Sequence, residues 1–414
     1  MSAENIVIVG AGECGARAAV CLREIGWEGS ITLIGEEPVP PYERPPLSKA
    51  VLLSNDAIKA TIVLDRYKAE SLRISELYNT RVLNVDREKQ ELTLDSGKTL
   101  PYFKLLLTTG CQPRRYLLDG VDSSNIFHLR TFNDALLLRK RLQPGLSIVV
   151  VGGGFIGLEV AATARQRGCQ VTVLENYSRL LARAVPAELA AKIESRHLQE
   201  GVDIRLNTTI ISANESEGKI QLRLSDNGTL HCDLIVAGIG ATPNISLAEN
   251  AGLEIENGIA VSETLKTSDP HIWAAGDCAS APHPLFGKQR RRFEAWRNAQ
   301  DQAETVARNM LGAEESYSSI PWFWSDQFEL GLHVAGIPGE GSHTVHRSSE
   351  DGVNIWFHLD TDGRLVAASG LGGGNSVAKS IKLAERMIAS RLVIDPVKLA
   401  DPAVKLKSLM VTDK

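Results

Sequence analysis

The sequence lacks the features that would place the chain in a membrane or stabilise it with disulfides. It has no stretch of about 18 apolar residues without charge, and the apolar run from Ile148 is interrupted by three glycines and Glu159. The first residues lead directly into an apolar strand, so no signal peptide is expected. None of the six cysteines forms a C-x-x-C or C-x-x-x-x-C pair, which argues against a disulfide framework or a zinc ribbon. These absences predict a cytoplasmic protein with reduced, mostly buried thiols and no structural metal.

Excess charge of one sign is also missing. The formal net charge is −5 over 414 residues, with 43% hydrophobic and 23% charged residues. Such a balance is ordinary for a globular protein and gives no global attraction to nucleic acid or anionic membranes. The length predicts two or three domains.

One order of elements occurs twice along the chain. An apolar run enters a glycine-rich turn at Gly10, followed by a helical segment and a second apolar strand that ends at Glu36. The same order returns later, with a turn at Gly152 and a glutamate, Glu175, after the second strand. A repeated order of this kind predicts two copies of one supersecondary unit.

The copies differ in one segment. Each carries an Asp/Asn-Gly hairpin signal, at Gly97 and at Gly228. The glycine turns lie 142 residues apart and the hairpin glycines 131 apart, so the first copy has about eleven additional residues. The proline-rich loop 38–49 (PVPPYERPPLSK) is the candidate insertion. A loop added to one copy of a duplicated unit suggests a specialised task there.

The glycine spacing has a physical reason. In a G-x-G-x-x-G turn the first glycine makes the tight turn, the second admits a pyrophosphate, and the third lets the helix approach the strand. The helix N-terminus then offers free N–H groups to the phosphates, and an acidic residue roughly 20–25 positions on binds a ribose. Glu36 follows Gly10 by 26 positions and Glu175 follows Gly152 by 23. Two complete copies predict two dinucleotide sites. Their residues are Gly10, Gly12, Gly15 and Glu36 in the first copy, and Gly152, Gly154, Gly157 and Glu175 in the second.

The second site favours NADH over NADPH. A carboxylate such as Glu175 would repel a 2′-phosphate, where NADPH sites usually place arginine. Arg179 and Arg183 lie nearby in the sequence and leave the strictness of this preference open.

A third glycine-containing segment lies at 267–279 (TSDPHIWAAGDCA). An apolar strand delivers Gly276 and Asp277 to a helix start, where the aspartate could bind a sugar-like chain or cap the helix. Taken alone, the segment favours the interpretation that Asp277 caps the helix.

Further segments extend these motifs over nearly the whole chain: YERPPLSK (42–49), TTG (108–110), LE (158–159), GIG (238–240), PN (243–244), EAWRNA (294–299) and PWFWSDQ (321–327). With them the chain resembles the ferredoxin reductase components of bacterial Rieske-type aromatic-ring dioxygenase systems. These are relatives of putidaredoxin and rubredoxin reductases within the glutathione-reductase-like flavoproteins. Departures are small: Cys14 and Thr108 stand where the family often has alanine.

The resemblance implies an α/β fold with two Rossmann-like three-layer domains, for FAD and NAD, and a C-terminal α+β interface domain. It places the FAD-binding domain at 1–112 and 247–320, the NAD-binding domain at 113–246 and the C-terminal domain at 321–414. Besides the first turn and Glu36, the FAD contacts that it implies are Cys14, Arg44, Lys49, Val82, Thr109, Gly110, Arg130, Gly276, Asp277 and Trp296. Besides the second turn and Glu175, the NADH contacts that it implies are Phe155, Ile156, Glu159, Arg183 and Gly240.

The implied function is to take hydride from NADH onto FAD and to pass single electrons to a [2Fe–2S] ferredoxin, which feeds the oxygenase. We hypothesise that the Lys49 ammonium lies near flavin N5 and pairs with Glu159, where its charge would favour reduced flavin. The alternative is a surface lysine after a proline loop. The extra loop in the first copy favours the functional role.

Cysteines that would relay electrons in related enzymes are missing, so an external acceptor is expected. Other functions stay open: a rubredoxin, monodehydroascorbate or nitrite-linked NADH reductase, or a redox-sensing interaction protein resembling apoptosis-inducing factor. The basic cluster Lys288, Arg290, Arg291 and Arg292 is a candidate docking face for an acidic ferredoxin, and the alternative is a solvated loop with internal ion pairs. Trp322 and Trp324 could shield the flavin or belong to a core. We expect a monomer or weak homodimer.

Overall fold

The computed structural model describes residues 4–54, 60–287 and 289–410. In these residues the strands are, in chain order, β1 (Asn5–Val9), β2 (Ser30–Ile34), β3 (Ile74–Leu77), β4 (Val82–Asp86), β5 (Glu91–Leu94), β6 (Thr99–Pro101), β7 (Lys104–Leu107), β8 (Cys111–Pro113), β9 (Ile126–Phe127), β10 (Ser147–Val151), β11 (Gln170–Leu174), β12 (Asp203–Arg205), β13 (Ile210–Ser216), β14 (Lys219–Leu224), β15 (Thr229–Cys232), β16 (Leu234–Ala237), β17 (Ala241–Pro243), β18 (Ile259–Ala260), β19 (Ile272–Ala274), β20 (Ala279–Pro282), β21 (Arg290–Arg291), β22 (Trp322–Gln327), β23 (Leu330–Gly336), β24 (His343–Ser348), β25 (Asn354–Leu359) and β26 (Leu365–Gly373). The α-helices are α1 (Glu13–Glu24), α2 (Ala50–Leu53), α3 (Arg66–Ser71), α4 (Phe132–Arg141), α5 (Phe155–Gln166), α6 (Ala187–Gln199), α7 (Ser246–Asn250), α8 (Trp296–Met310), α9 (Ala378–Ala389) and α10 (Pro396–Ala400).

Contacts between residues divide the chain into two units. The first unit takes the described residues of Met1–Glu43, Lys59–Gln112 and Ala241–Pro321. The second takes those of Arg44–Ile58, Pro113–Gly240 and Trp322–Lys414.

The first unit contains a parallel sheet in the order β19-β7-β1-β2-β3. Its central strand, β1, pairs with β2 and with β7, so that Ile6 lies opposite both Ile31 and Lys104. The strand is almost entirely apolar and buried, as expected for parallel strands covered on both faces. Helices α1 and α8 pack together in this unit. The predicted Gly97 hairpin joins β5 to β6 in the antiparallel sheet β4-β5-β6.

The second unit repeats this arrangement with a parallel sheet in the order β12-β11-β10-β16-β9. An antiparallel sheet, β13-β14-β15, carries the predicted hairpin at Gly228. In β14 the apolar residues Ile220, Leu222 and Leu224 alternate with polar ones and point into a buried cluster that includes Val149 of β10. Every second side chain of a strand points to the same face, so these apolar residues cover one face of the sheet. The predicted duplication of β-α-β units is therefore confirmed.

The last part of the second unit is an antiparallel sheet in the order β22-β23-β26-β25-β24, with α9 packed against β23 and β26. Gly370 lets the helix approach, because a Cβ there would lie 3.0 Å from Ile381 Cδ1. This is an α+β arrangement, as the sequence predicted for 321–414.

The contact division differs from the expected domain boundaries in two segments, and residues 241–246, expected in the NAD-binding stretch 113–246, fall in the first unit. Residues 44–54, expected within the FAD-binding stretch 1–112, make their contacts in the second unit, where α2 packs against α4 and α5. Separate domains for 113–246 and 321–414 stay a prediction, because the division by contacts joins both in one unit.

Candidate active site

The first glycine turn joins β1 to α1, and its backbone passes so close to neighbouring carbonyl groups that only glycine fits. Gly10 has a φ of 119°, and a Cβ there would lie 2.1 Å from the Thr108 carbonyl oxygen. A Cβ on Gly15 would lie 2.0 Å from the Gly10 carbonyl oxygen. At Gly12 a Cβ would meet no described atom within 4 Å, and as the N-cap residue Gly12 has no side chain to offer the first N–H groups of α1. Open space beside uncapped N–H groups fits the pyrophosphate of a dinucleotide.

The acidic residue after β2 is exposed. The Glu36 side chain is 73% exposed, and its nearest cation is Arg81, with Nε 3.8 Å from Oε1. Its oxygens thus remain able to accept hydrogen bonds from a ribose, as predicted from the spacing.

The segment after β7 is tied to the turn and to a returning strand. Thr108 Oγ1 donates to the Gly10 carbonyl at 2.8 Å, so the threonine that departs from the family pattern fastens the glycine turn. Thr109 Oγ1 donates to the Asn244 carbonyl at 2.6 Å, and Asn244 Nδ2 donates back to the Thr109 carbonyl at 2.9 Å. The Asn244 N–H donates to the Gly110 carbonyl. Predicted FAD contacts at Thr109 and Gly110 therefore lie on a rigid segment.

The third motif also reaches the first turn. Gly276 has a φ of 79°, and a Cβ there would lie 3.1 Å from the Cys14 Cβ. Asp277 lies inside the short 3-10 turn Gly276–Cys278, whose N-cap residue is Ala275, so it is not the cap that the segment alone favoured. The Asp277 carboxylate accepts from Cys111 Sγ at 3.3 Å.

Helix α8 brings Trp296 to the same turn, beside an unpredicted carboxyl group. Trp296 is the first residue of α8, and its indole lowers the pKa of Glu13 at the start of α1. Gln300 Nε2 donates to Glu13 Oε1 at 2.8 Å. Burial raises the pKa of Glu13, against the hydrogen bond from Gln300 that lowers it. Sequence reasoning missed Glu13 because it stands at a variable position of the glycine motif. Val82, another predicted FAD contact, is buried at the start of β4.

Cysteines near the first turn are protonated thiols. Burial raises the pKa of Cys14 well above its ordinary value, and burial also raises the pKa of Cys278. Reactive thiols have a lowered pKa instead. None of the six cysteines forms a disulfide.

The second glycine turn has the same geometry as the first. Gly152 has a φ of 106°, and a Cβ there would lie 2.5 Å from the Gly238 carbonyl oxygen. A Cβ on Gly157 would lie 2.1 Å from the Gly152 carbonyl oxygen. Gly154 is the N-cap residue of α5 and leaves the first N–H groups uncapped by a side chain. This turn also fits a pyrophosphate.

Glu175, after β11, is buried and already bonded to the backbone. Its Oε2 accepts from the Gly153 N–H at 2.7 Å and its Oε1 from the Tyr177 N–H at 2.8 Å. Arg179 donates to backbone carbonyls of its own loop, and the Arg183 guanidinium lies 5.9 Å from the Tyr177 ring. A carboxylate held beside the turn, with Arg179 used by the loop, is consistent with NADH.

Of the other predicted NADH contacts, Phe155 and Ile156 directly follow the turn, and Gly240 lies two residues beyond Gly238. Phe155 begins α5 and packs against Phe323 with ring centroids 4.9 Å apart. Ile156 is 46% exposed. Gly240 has a φ of 99°, and its carbonyl accepts from the Arg114 N–H at 2.9 Å.

Three predicted FAD contacts, Arg44, Lys49 and Arg130, belong to the second unit. Arg44 donates to the Arg130 carbonyl at 2.5 Å. The Lys49 Nζ lies 3.0 Å from Glu159 Oε2, as hypothesised, and also donates to the Pro45 carbonyl at 3.3 Å. The Lys49 side chain is 20% exposed, so it is not the solvated surface lysine of the alternative interpretation.

Glu159 is a buried carboxylate with three donors from two other chain segments. It is 4% exposed on α5. Its Oε2 accepts from Ser48 as well as from Lys49, and its Oε1 accepts from Ser325 at 2.6 Å. The two serines were missed as site residues, although both stand in the quoted segments YERPPLSK and PWFWSDQ. Charge-assisted hydrogen bonds of this kind allow a carboxylate to stay buried.

The basic cluster is largely paired within its own unit, and its Lys288 lies outside the described residues. Arg290 pairs with Glu256 at 3.0 Å and is 34% exposed. Arg292 pairs with Glu294 at 2.5 Å, donates to the Asp277 carbonyl and is 10% exposed.

The aromatic pair Trp322 and Trp324 lies on β22. Their ring centroids are 5.4 Å apart, and Trp322 packs at the same distance from His333. Both side chains are half-buried in the second unit.

Two glycine turns, each followed by an uncapped helix and a carboxylate, are typical of an oxidoreductase that binds two dinucleotides. The family model described as pyridine nucleotide-disulphide oxidoreductase matches residues 4–303, and the model described as reductase C-terminal matches residues 322–410. The chain belongs to the pyridine nucleotide-disulphide oxidoreductase family.

Similar proteins and structures match over almost the full length. The anthranilate 1,2-dioxygenase system ferredoxin--NAD(+) reductase component from Burkholderia cepacia is 41% identical over 412 residues, covering 99% of this chain and 100% of that protein. The corresponding p-cumate 2,3-dioxygenase system component from Pseudomonas putida is 37% identical, covering 98% of each. The structure of the covalent putidaredoxin reductase–putidaredoxin complex matches with a TM-score of 0.92 at 35% identity and covers 98% of both chains.

These findings confirm the resemblance and the α/β fold class that the sequence predicted. They also confirm an oxidoreductase that uses FAD and NADH. Among the described residues, no helix has the length and apolar character needed to cross a membrane.

Proposed function

We propose that this chain takes hydride from NADH onto FAD and passes single electrons to a small [2Fe–2S] ferredoxin that serves a Rieske-type aromatic-ring oxygenase. The observation that carries the proposal is the pair of uncapped glycine turns in a chain that matches such reductase components from end to end. A flavin accepts two electrons together and releases them singly, which neither nicotinamide nor the cluster does.

The protonated thiols support an external acceptor. Cys14 and Cys278, the cysteines nearest the first turn, have raised pKa values and form no disulfide. Without a thiol relay the electrons leave for a separate protein. We also place this protein in the cytoplasm, where buried thiols stay reduced, as a monomer or weak homodimer.

We further propose that Lys49 and Glu159 act together at the flavin. The Glu159 carboxylate fixes the Lys49 ammonium at 3.0 Å, in a loop that is otherwise stiffened by prolines. A fixed cation of this kind would stabilise negative charge on a neighbouring cofactor without reorganisation. The proposed roles of Glu36, Glu175 and the glycine turns are to bind the two dinucleotides.

The experiment that tests the function is reconstitution. Purified chain is loaded with FAD and mixed with NADH, and the flavin absorbance is followed; cytochrome c reduction is then measured with and without a [2Fe–2S] ferredoxin. We expect rapid bleaching, and cytochrome c reduction only when ferredoxin is present. A long-lived charge-transfer complex with NAD and no turnover would favour a redox sensor and contradict the proposal.

The role of Lys49 is tested by stopped flow. Lys49→Met should slow flavin reduction by NADH, because it removes the ammonium and keeps most of the side-chain volume. Lys382→Met is the matched control, since Lys382 also pairs with a glutamate, Glu385, but on the surface helix α9. Equal rates in the Lys49 variant and the control would remove Lys49 from the mechanism.

The Arg290 and Arg291 face is proposed as part of the ferredoxin docking surface. Arg290 retains a third of its side-chain exposure despite its pair with Glu256, and charge steering acts through such rim residues. Arg292, mostly buried and bonded to the Asp277 carbonyl, is proposed to hold the loop instead.

A further inference from the structure

We infer that His197 and Gln327 are positioning residues for Glu159, acting through Ser325. This inference rests on the proposed role of Glu159 at the flavin and extends it to residues outside the dinucleotide motifs. We call the four side chains His197, Gln327, Ser325 and Glu159 the Glu159 network.

The Glu159 network is continuous and buried. Ser325 Oγ donates to Glu159 Oε1 at 2.6 Å, Gln327 Nε2 donates to Ser325 Oγ at 3.1 Å, and His197 Nε2 lies 2.9 Å from Gln327 Oε1. None of the four residues is more than 4% exposed. Water therefore does not compete for these bonds, and each is stronger than a surface bond would be.

The direction of the bonds is set by the carboxylate. An ionised carboxylate only accepts, so Ser325 must donate to Glu159 and accept from the Gln327 amide. That orientation turns Gln327 Oε1 toward His197, whose Nε2 must then carry the hydrogen. Every hydrogen in the network thus points toward the negative charge of Glu159.

The environment of His197 agrees with this tautomer. Its Nδ1 is buried with no hydrogen-bond partner among the described atoms, which suits a bare lone pair better than an N–H donor. Burial lowers the pKa of His197, so the imidazole is neutral near pH 7. Its ring packs edge-on against Phe328, with centroids 5.0 Å apart.

A salt bridge anchors the far end of the network. Arg196, the neighbour of His197 on α6, donates to both carboxylate oxygens of Glu329, at 2.6 and 2.9 Å. Glu329 lies between β22 and β23, just after Gln327. Helix α6 is thereby fastened to the strand that carries Ser325 and Gln327, which keeps Glu159 Oε1 occupied while Oε2 holds Lys49.

The test measures flavin reduction by NADH in stopped flow on FAD-loaded protein. Ser325→Ala should lower the limiting rate about tenfold, the effect of losing about 1.4 kcal/mol of charge-assisted hydrogen bonding, and should change the NADH dissociation constant less than about twofold. Ser325→Thr, which restores the hydroxyl, should recover the rate. Ser369→Ala is the matched control, because Ser369 is a fully buried serine of the same sheet whose hydroxyl bonds His358 at 3.2 Å.

A double-mutant cycle tests whether the residues act through one another. His197→Phe and Ser325→Ala combined should be no slower than the slower single variant, since either break disconnects Glu159 from the network. Multiplying effects, or equal slowing in Ser369→Ala, would overturn the inference. Glu159→Gln separates failure of the Glu159 network from failure of the proposed role of Glu159. If Glu159→Gln slows flavin reduction and Ser325→Ala does not, only the inference about the network is wrong. If Glu159→Gln has no effect, the proposed role of Glu159 is wrong.

A readout without turnover uses the FAD-loaded chain before NADH is added. Nitrogen-15 NMR of labelled histidine should show His197 as the neutral Nε2–H tautomer in the wild type. A neutral Nδ1–H tautomer would reverse the direction of the network and overturn the inference.

Discussion

Replacing Lys49 with methionine should destabilise the second unit, because it leaves a buried carboxylate without its cation. Glu159 is 4% exposed, and Lys49 Nζ lies 3.0 Å from its Oε2. Removing one partner of a buried ion pair costs about 3–5 kcal/mol. Ser48 and Ser325 still donate to Glu159 in the variant, and Lys49 is itself 20% exposed. We therefore expect a loss of about 2–3 kcal/mol.

The assay is thermal unfolding of the FAD-free chain followed by circular dichroism, since bound ligand would add its own stabilisation. A loss of that size lowers Tm by roughly 4–12 °C for a unit of this length. Lys382→Met is again the control: a surface pair contributes at most about 1 kcal/mol, so its Tm should move by only a few degrees.

The double variant Lys49→Met/Glu159→Gln decides whether the reasoning is correct. If the loss comes from an uncompensated charge, neutralising Glu159 should recover at least half of it. A double variant as unstable as the sum of the two single variants would refute this explanation, because the cost would then be lost packing.

Three further predictions follow from the fold and the charges. Gly12→Ala should leave the Tm of the FAD-free chain unchanged, because the added Cβ meets no described protein atom within 4 Å. The same Cβ would occupy the space proposed for the pyrophosphate, so FAD binding should weaken in a fluorescence titration. Gly10→Ala should instead lower that Tm, because its Cβ would lie 2.1 Å from a carbonyl oxygen. His358→Gln should flatten the loss of stability on acidification: burial lowers the pKa of His358 to about 4, so its contribution is complete above pH 6.5 and about 3 kcal/mol is lost as the pH falls to 4, measured as Tm against pH. Reversing Arg290 and Arg291 to glutamate should raise the KM for ferredoxin at low salt and leave ferricyanide reduction intact, measured in steady-state assays.

Each of these has a contrary outcome. Equal FAD affinity in Gly12→Ala would mean that the space at the turn does not admit the cofactor. An unchanged pH slope would show that His358 titrates alike in folded and unfolded chains. Equal loss of activity with ferredoxin and with ferricyanide would show that the two arginines stabilise the first unit rather than bind ferredoxin.

The duplicated turns were predictable from sequence because their causes are local. Glycine at Gly10 and Gly152 follows from a positive φ and a close carbonyl, and both are properties of a strand–turn–helix segment. The hairpins at Gly97 and Gly228 depend on two or three neighbouring residues. Such features leave a signal within a short window.

The surroundings of Glu159 could not be predicted in the same way. Its donors come from Ser48 and Ser325, which are 111 and 166 residues away in sequence. A serine in a sequence gives no indication that it will bond a distant carboxylate. The hydrogen bond from His197 to Gln327 forms only because α6 packs against β22 in the folded chain. The Lys49 pair was anticipated only through resemblance. The sequence left internal ion pairs of the basic cluster open but could not name their partners, because Glu256 lies 34 residues from Arg290.

The bidentate clamp between Arg196 and Glu329 has a consequence for engineering. Swapping the segment after residue 321 between relatives is an obvious route to hybrids with new acceptor proteins. A hybrid joined at residue 321 would combine Ser325, Gln327 and Glu329 of one relative with α5 and α6 of another. The partners of these three residues, Glu159, His197 and Arg196, would then come from a different protein. Successful hybrids should therefore transplant matching side chains on α5 and α6 together with the C-terminal sheet.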